Sequence, residues 1–128
     1  MKPHLESEPP VINHDELIER MMGSAQMAER MLAKFVETSA TDCDDLESII
    51  RLGNADEVAS LAHRHKGTAQ TMAAPRVADI ASKIETQATS EPTSELLELV
   101  GQLRESHQEV REILVSGLAT DERAEEQD

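Results

Sequence analysis

Residues 61–67, Leu-Ala-His-Arg-His-Lys-Gly, are the most informative stretch of this chain, because they place two histidines on opposite faces of one expected helix. Apolar residues recur around them at three- and four-residue spacing, and each helical residue advances by about 100°. His63 points away from the resulting apolar stripe, whereas His65 falls near its middle. The pattern therefore predicts an exposed, reactive His63 and a buried His65. The stripe itself consists of Val58, Leu61, Ala62, Ala69 and Met72.

The flanking residues mark the limits of this helix. Asn54-Ala55-Asp56-Glu57 has the pattern of a capping box, in which side chains satisfy free backbone amides at a helix start. Proline is favoured at a first helical position and disfavoured in an interior. The helix is therefore predicted to end near Ala73, and the next one to begin at Pro75. The apolar stripe of that next helix is Val77, Ile80, Ala81, Ile84 and Ala88.

Similar signals divide the rest of the chain. A capping box at Asn13 opens a short helix that Gly23 closes, and Ser24 opens a second segment that runs to Gly53. The polar stretch 38–45 leaves open whether this segment is one helix or two broken near Thr41. Its apolar positions are Met27, Met31, Leu32, Phe35, Leu46, Ile49, Ile50 and Leu52. A final helix follows the loop 89–93, with Leu96, Leu97, Leu99, Val100, Leu103, Val110, Ile113 and Leu114.

These segments predict an all-α fold, an antiparallel four-helix bundle with a short additional N-terminal helix. None of them has the alternating pattern of a strand. We expect the bundle domain over residues 12–118. A flexible N-terminal segment with three prolines is predicted at 1–11, and an acidic flexible tail at 119–128.

Composition narrows the choice of function. The formal net charge of −14 across 128 residues disfavours nucleic acid and anionic lipid as partners and favours a monomer. Phe35 is the only aromatic residue, so nothing can stack on bases. The single cysteine, Cys43, is expected to be inert and fits a reducing compartment. With no membrane span or signal peptide in the sequence, a soluble, cytoplasmic protein is predicted.

The motif Ala62-His63-Arg64-His65-Lys66-Gly67, with the small residues after it and the pair Ile84-Glu85 beyond, resembles the signature of the histidine-containing phosphotransfer (Hpt) domain family. That signature is roughly Ala-His-x-Leu-Lys-Gly followed by small residues and a Gly-Ala pair. The resemblance spans most of the chain. Two residues depart from it, since His65 replaces the usual leucine and Ala73 the usual glycine. A histidine on a core face should need a hydrogen-bond partner or a place near the bundle edge.

The resemblance implies that His63 is the phosphorylated residue of a multistep phosphorelay. The chemistry of its neighbours fits this role. An exposed imidazole can attack an aspartyl phosphate. Lys66 can neutralise phosphoryl charge, and Gln70 could orient the ring or donate to the phosphate. Gly67 removes a side chain beside the ring. The residues predicted to face the approaching partner are Gly67, Ala59, Ser60 and Arg64.

The expected protein is a phosphocarrier and not a kinase, because no P-loop or other ATP-binding segment is present. Its partners would be receiver domains of response regulators or hybrid histidine kinases, and the partner would supply Mg²⁺ and the acceptor aspartate. No cofactor of its own is predicted. His14 and His107 are expected to be incidental to this chemistry, although His107 could lie in the bundle seam.

Two other functions are considered for a helical bundle of this kind. Helical bundles can hold di-iron centres through inward Glu-x-x-His pairs, but the sequence has no such pair, and His63 and His65 diverge on a helix. No metal site is therefore predicted. An Hpt-like adaptor that binds a receiver or a kinase without carrying phosphate is the main alternative.

Overall fold

The computed structural model describes residues 9–117, and in this part of the chain the fold is all-α. The helices are α1 (His14–Arg20), α2 (Ala25–Leu52), α3 (Ala55–Thr71), α4 (Pro75–Gln87) and α5 (Thr93–Ser116). The predicted fold class is confirmed. The acidic tail predicted at 119–128 lies outside the described residues.

Side chains cap the first three helices as the sequence predicted. Asn13 Oδ1 accepts a hydrogen bond from the amide of Glu16, Ser24 Oγ from that of Met27, and Asn54 Oδ1 from that of Glu57. At the other end of α2, Gly53 adopts a left-handed φ of 79° that ends the helix. Pro75 stands at the start of α4, where its missing amide costs no hydrogen bond.

The four long helices pack in cyclic order, α2 against α3, α3 against α4, α4 against α5, and α5 against α2. Neighbouring helices run antiparallel. Along the α2–α5 seam, for example, Arg104 contacts Glu47, whereas the later Arg111 lines a groove with the earlier Ala40. The short α1 packs on α2 and buries Leu17 completely. The core holds one phenyl ring, that of Phe35, among aliphatic residues such as Leu32, Leu46, Val77, Ile84 and Leu103.

Helix α2 is continuous over its 28 residues, which resolves the question left open at Thr41. The polar stretch 38–45 stays helical because several of its side chains are buried and bonded in the bundle. Ser39 Oγ donates to the carbonyl of Phe35 at 2.6 Å, and Asp42 is buried against α3. The apolar positions at the ends of α2 are less covered than predicted. Met27 and Met31 are each 40% exposed and Leu52 is 81% exposed.

The packed part of the chain begins before the predicted boundary at residue 12. Val11 is buried together with Ile12. The carbonyls of Pro9 and Pro10 accept hydrogen bonds from the side chain and the amide of Arg76, at 2.9 and 3.2 Å. The segment 9–11 is therefore attached to the start of α4, whereas residues 1–8 lie outside the described part.

The turn between α3 and α4 keeps a left-handed residue although it lacks a glycine. Ala73 has a φ of 55°. Its amide donates to the carbonyl of Gln70, and its own carbonyl accepts from the amide of Asn13 at 2.7 Å. A left-handed alanine is strained by about 1 kcal/mol. These two hydrogen bonds and the burial of its methyl group offset that strain.

Candidate functional site

His63 lies on the outer face of α3, and its side chain is 67% exposed. The helical stripe predicted from the sequence explains this orientation, since Val58, Leu61, Ala62, Ala69 and Met72 are all buried on the opposite face. His63 Nδ1 lies 2.9 Å from Oε2 of Glu85, which projects from α4. The ring is thus exposed but held in place from the neighbouring helix.

Glu85 is the centre of a three-residue cluster. Its second oxygen, Oε1, forms an ion pair with Lys66 Nζ at 2.9 Å. Both side chains are about three-quarters covered, with 25% of Lys66 and 26% of Glu85 exposed. Lys66, and to a smaller extent His63, hold the pKa of the Glu85 carboxyl below its ordinary value. The carboxylate therefore accepts a hydrogen bond from the imidazole through one oxygen and is ion-paired with the ammonium group through the other.

This contact determines which nitrogen of His63 is available for reaction. An ionised carboxylate only accepts hydrogen bonds, so Nδ1 carries the hydrogen that Glu85 receives. In the neutral ring, Nε2 then keeps its lone pair. Because Nδ1 faces Glu85, Nε2 lies on the opposite side of an exposed ring. The arrangement can act as an oriented nucleophile whose outer nitrogen is free.

Glu85 was not among the site residues predicted from the sequence. The only signal for it was the pair Ile84-Glu85, at a place where the resembled family tends to have Leu-Glu. Periodicity within α3 could not identify it, since Glu85 follows His63 by 22 residues and the two meet only across the helix seam.

Gly67 and Gln70 are both exposed on α3, beyond Lys66. A Cβ built at Gly67 would meet no atom of the protein within 4 Å, so internal packing does not require a glycine there. Within residues 9–117 the side chain of Gln70 makes no hydrogen bond to His63. The predicted orientation of the ring by Gln70 is thus absent here, and Glu85 holds the ring instead.

The residues predicted to face a partner lie before and beside His63. Ser60 and Arg64 are exposed and Ala59 is half-buried. Arg64 Nη2 reaches back to Asp42 Oδ1 at 3.4 Å. Ser60 and Arg64 also line a shallow groove of about 300 Å³ between α2 and α3, together with Asp45, Ser48, Ile49 and Leu61. This α2–α3 groove places exposed α2 surface next to the histidine.

His65 is buried to 1% exposure and has the hydrogen-bond partners that its position was predicted to need. Its Nδ1 lies 2.8 Å from Asp42 Oδ2 on α2, and its Nε2 lies 2.8 Å from His107 Nε2 on α5. Asp42 accepts from Nδ1, so in a neutral His65 ring Nε2 accepts a hydrogen bond from His107. Phe35 stacks on His65 and meets His107 edge-on, with ring centroids 6.1 and 5.0 Å apart.

His107, expected to be incidental, is therefore a structural partner in the bundle seam. It is 7% exposed, and its Nδ1 is buried without a hydrogen bond in the described part of the chain. Burial, followed by the adjacent His65, lowers the pKa of His107 to about 3. Cys43 is nearby in the same seam, and burial raises the pKa of its thiol to about 11, which fits the predicted inert cysteine.

Residues 9–117 contain no group of three or more metal-ligating side chains that could hold a metal ion. Over the same residues, no helix has the length and apolarity needed to cross a membrane.

An all-α bundle with an exposed histidine on one helix agrees with the family that the motif resembles. The family model of the Hpt domain matches residues 30–113, well over half of the chain, and the chain belongs to this family. Comparisons with curated proteins and with solved structures found no match. Membership makes this a phosphotransfer domain of phosphorelay signalling, a class that interacts with the receiver domains of response regulators.

Proposed function

We propose that this protein carries a phosphoryl group on Nε2 of His63 and transfers it reversibly between receiver-domain aspartates. The observation that carries the proposal is the geometry of the ring, which is 67% exposed and bonded through Nδ1 to Glu85. A buried or freely rotating histidine would lack either access or a fixed nucleophile. His65, the other histidine of the motif, has both nitrogens engaged inside the bundle.

In the proposed step, the Nε2 lone pair attacks the phosphorus of an aspartyl phosphate in line with the leaving oxygen. A nitrogen–phosphorus bond forms, the phosphorus–oxygen bond to the aspartate breaks, and the carboxylate is regenerated. The Nδ1 hydrogen stays in its bond to Glu85, whose charge offsets the positive charge developing on the ring. The reverse sequence delivers the group to a second aspartate.

Lys66 would stabilise the phosphorylated state. Its ammonium group is one helical turn from His63 and already shares Glu85 with it. A phosphoryl group on Nε2 adds charge within reach of the flexible lysine, which can then divide its contacts between phosphate and carboxylate. Gln70, exposed and unbonded, is a second donor that the phosphate or the receiver could engage.

The receiver would approach the face formed by His63, Gly67 and the α2–α3 groove. Ser60 and Arg64 connect the groove to the histidine. Gly67 leaves open space beside the ring, which a closing active site needs for in-line placement. Mg²⁺ and the phosphorylated aspartate belong to the receiver in this scheme.

The test is phosphotransfer from phosphorylated receiver domains of the same genome to the wild type, His63→Gln and His65→Gln. We expect acid-labile label on the wild type and on His65→Gln to the extent that it folds, and none on His63→Gln. If an effect on receiver or kinase persists in His63→Gln, the protein is instead the adaptor considered above. Label retained by folded His63→Gln would contradict the assignment of the site.

A further inference from the structure

Three cations of the described chain lack an acidic partner, and they lie together. Among the lysines and arginines of residues 9–117, only Arg30, Lys34 and Arg111 have no carboxylate within ion-pair distance. The chain has 26 acidic and 12 basic residues, so a group of unpaired cations differs in charge from the protein as a whole. All three line one groove between α2 and α5.

This α2–α5 groove is formed by Arg30, Lys34 and Ala40 of α2 and by Arg111, Leu114 and Val115 of α5, and it encloses about 700 Å³. Apolar atoms accompany the charges, since Ala40 is exposed, Leu114 is half-buried and Val115 is 80% exposed. Glu37 is the one acidic residue in its lining, so the groove is net positive on a strongly negative protein. A fitting occupant is acidic with some apolar side chains.

The groove lies on the opposite side of the bundle from the histidine. His63 and Glu85 occupy the α3–α4 seam, whereas the groove occupies the α2–α5 seam, and the cyclic packing order separates the two. A ligand in the groove would therefore not cover His63. The occupant of the groove can therefore be considered separately from phosphotransfer at His63.

We propose that the acidic segment 118–128 of this same chain binds in the α2–α5 groove. This segment, Leu-Ala-Thr-Asp-Glu-Arg-Ala-Glu-Glu-Gln-Asp, has five acidic residues and one arginine and begins with an apolar leucine. Its acidic residues are complementary in charge to Arg30, Lys34 and Arg111. The apolar residues at its start can pack against the exposed Val115.

Chain continuity provides the second argument. The segment follows Gly117, two residues beyond Val115, and Gly117 has a φ of 90° that turns the backbone away from the helix axis. From Gly117 the groove runs back along α5 to Arg111, six residues and about 9 Å at about 1.5 Å per residue. An extended segment of 11 residues spans about 36 Å. It can therefore pass Leu114, Arg111 and Lys34 without strain.

The interaction must be weak and sensitive to salt. Each exposed ion pair contributes little by itself, so only several pairs together hold the segment in place. The covalent connection helps, since a short tether gives an effective concentration in the millimolar range. The Debye length falls from about 8 Å near physiological salt to about 3 Å at about 1 M salt, which would release the segment.

The test uses a nitroxide spin label on Ala124→Cys in the full chain, with paramagnetic broadening of backbone amides measured by NMR. The buried Cys43, with its raised pKa, stays unlabelled. At low salt we expect signal loss around Arg30, Lys34 and Arg111, and recovery of these signals at high salt. The charge-reversed variant Arg30→Glu/Lys34→Glu/Arg111→Glu should abolish the loss. Lys83→Glu, a reversal on α4 outside the groove, should not.

Several outcomes would overturn the proposal. Broadening spread evenly over the surface, or none at all, would mean that the segment does not bind there. Broadening unaffected by the triple reversal, in protein shown by circular dichroism to be folded, would remove the electrostatic basis. Mixing spin-labelled protein with isotope-labelled, nitroxide-free protein shows whether contacts are intermolecular. Signal loss found equally in that mixture would assign the groove to a second copy instead. None of these outcomes depends on transfer through His63.

Discussion

Replacing Gly67 with alanine should make the protein more stable and less active at the same time. The residue is inside helix α3, where glycine is unfavourable because its backbone loses the most freedom on folding. A methyl group there would meet no atom within 4 Å, so it adds no internal clash. The only neighbour it can disturb is an approaching partner.

The size of each effect follows from this geometry. Alanine is favoured over glycine in a helix interior by about 1 kcal/mol, which is the expected increase in the free energy of unfolding. The methyl would lie one turn beyond His63, on the same face as the ring. Displacement of the reacting atoms by about 1 Å can slow a reaction about a hundredfold, so we expect phosphotransfer to slow at least about tenfold.

Gly101 provides a matched control. It lies inside helix α5, is exposed, and would also present its Cβ to open space. Gly101→Ala should raise stability by a similar amount, but it lies on α5, away from the α3–α4 seam that holds His63, and should leave transfer unchanged.

The assays are urea unfolding and single-turnover transfer from a phosphorylated receiver for both variants. Gly67→Ala with the transfer rate of Gly101→Ala would refute the view that open space at Gly67 serves the partner. A loss of stability in Gly67→Ala would refute the packing argument itself.

The remaining predictions concern the two histidine clusters. Glu85→Ala should release the His63 ring, so long-range ¹H–¹⁵N spectra should lose the Nδ1–H tautomer and transfer should slow. The low pKa of His107, about 3 against an ordinary 6.5, means that the unfolded chain binds a proton first as the pH falls. Stability from this group should therefore be intact above about pH 6.5 and drop by about 2 kcal/mol by about pH 5, as measured by urea unfolding. His65→Leu should destabilise the fold by about 2–4 kcal/mol, because Asp42 and His107 each lose a buried partner.

Each of these three predictions has its own control. Glu98→Ala, an exposed acidic substitution on α5, should leave the His63 tautomer unchanged, and an unchanged tautomer in Glu85→Ala would contradict the assigned hydrogen bond. His107→Gln should lose the extra acid sensitivity, since many carboxylates also titrate and only the difference between the two proteins isolates His107. Equal stability of His65→Leu and the wild type would show that the buried network contributes nothing net.

The elements of this fold were largely predictable because their signals are local. The capping residues Asn13, Ser24 and Asn54 and the helix-starting Pro75 act within one turn of their own positions. The outward position of His63 followed from helical periodicity in the same way. The continuity of α2 could not be predicted from its own pattern, because the stability of its polar middle depends on burial against other helices.

The contacts that define the site were harder to predict because they join distant parts of the chain. The need of His65 for a partner was clear from its place on the apolar face, but Asp42 and His107 are 23 and 42 residues away. Glu85 could not be predicted from the pattern of α3 either, because it lies on α4, 22 residues from His63. A helical pattern tells which side of its own helix a residue faces, and not which residue of the next helix it will meet.

The buried chain of Asp42, His65 and His107 also limits how this sequence can change over evolutionary time. The three residues come from three helices and are joined by two hydrogen bonds, so replacing any one alone leaves a polar atom in the core without its partner. Leucine at position 65 becomes acceptable only after Asp42 and His107 have become apolar or have gained other partners. A mutational route to an apolar core therefore passes through less stable proteins, and the three positions are expected to be inherited and replaced as a unit.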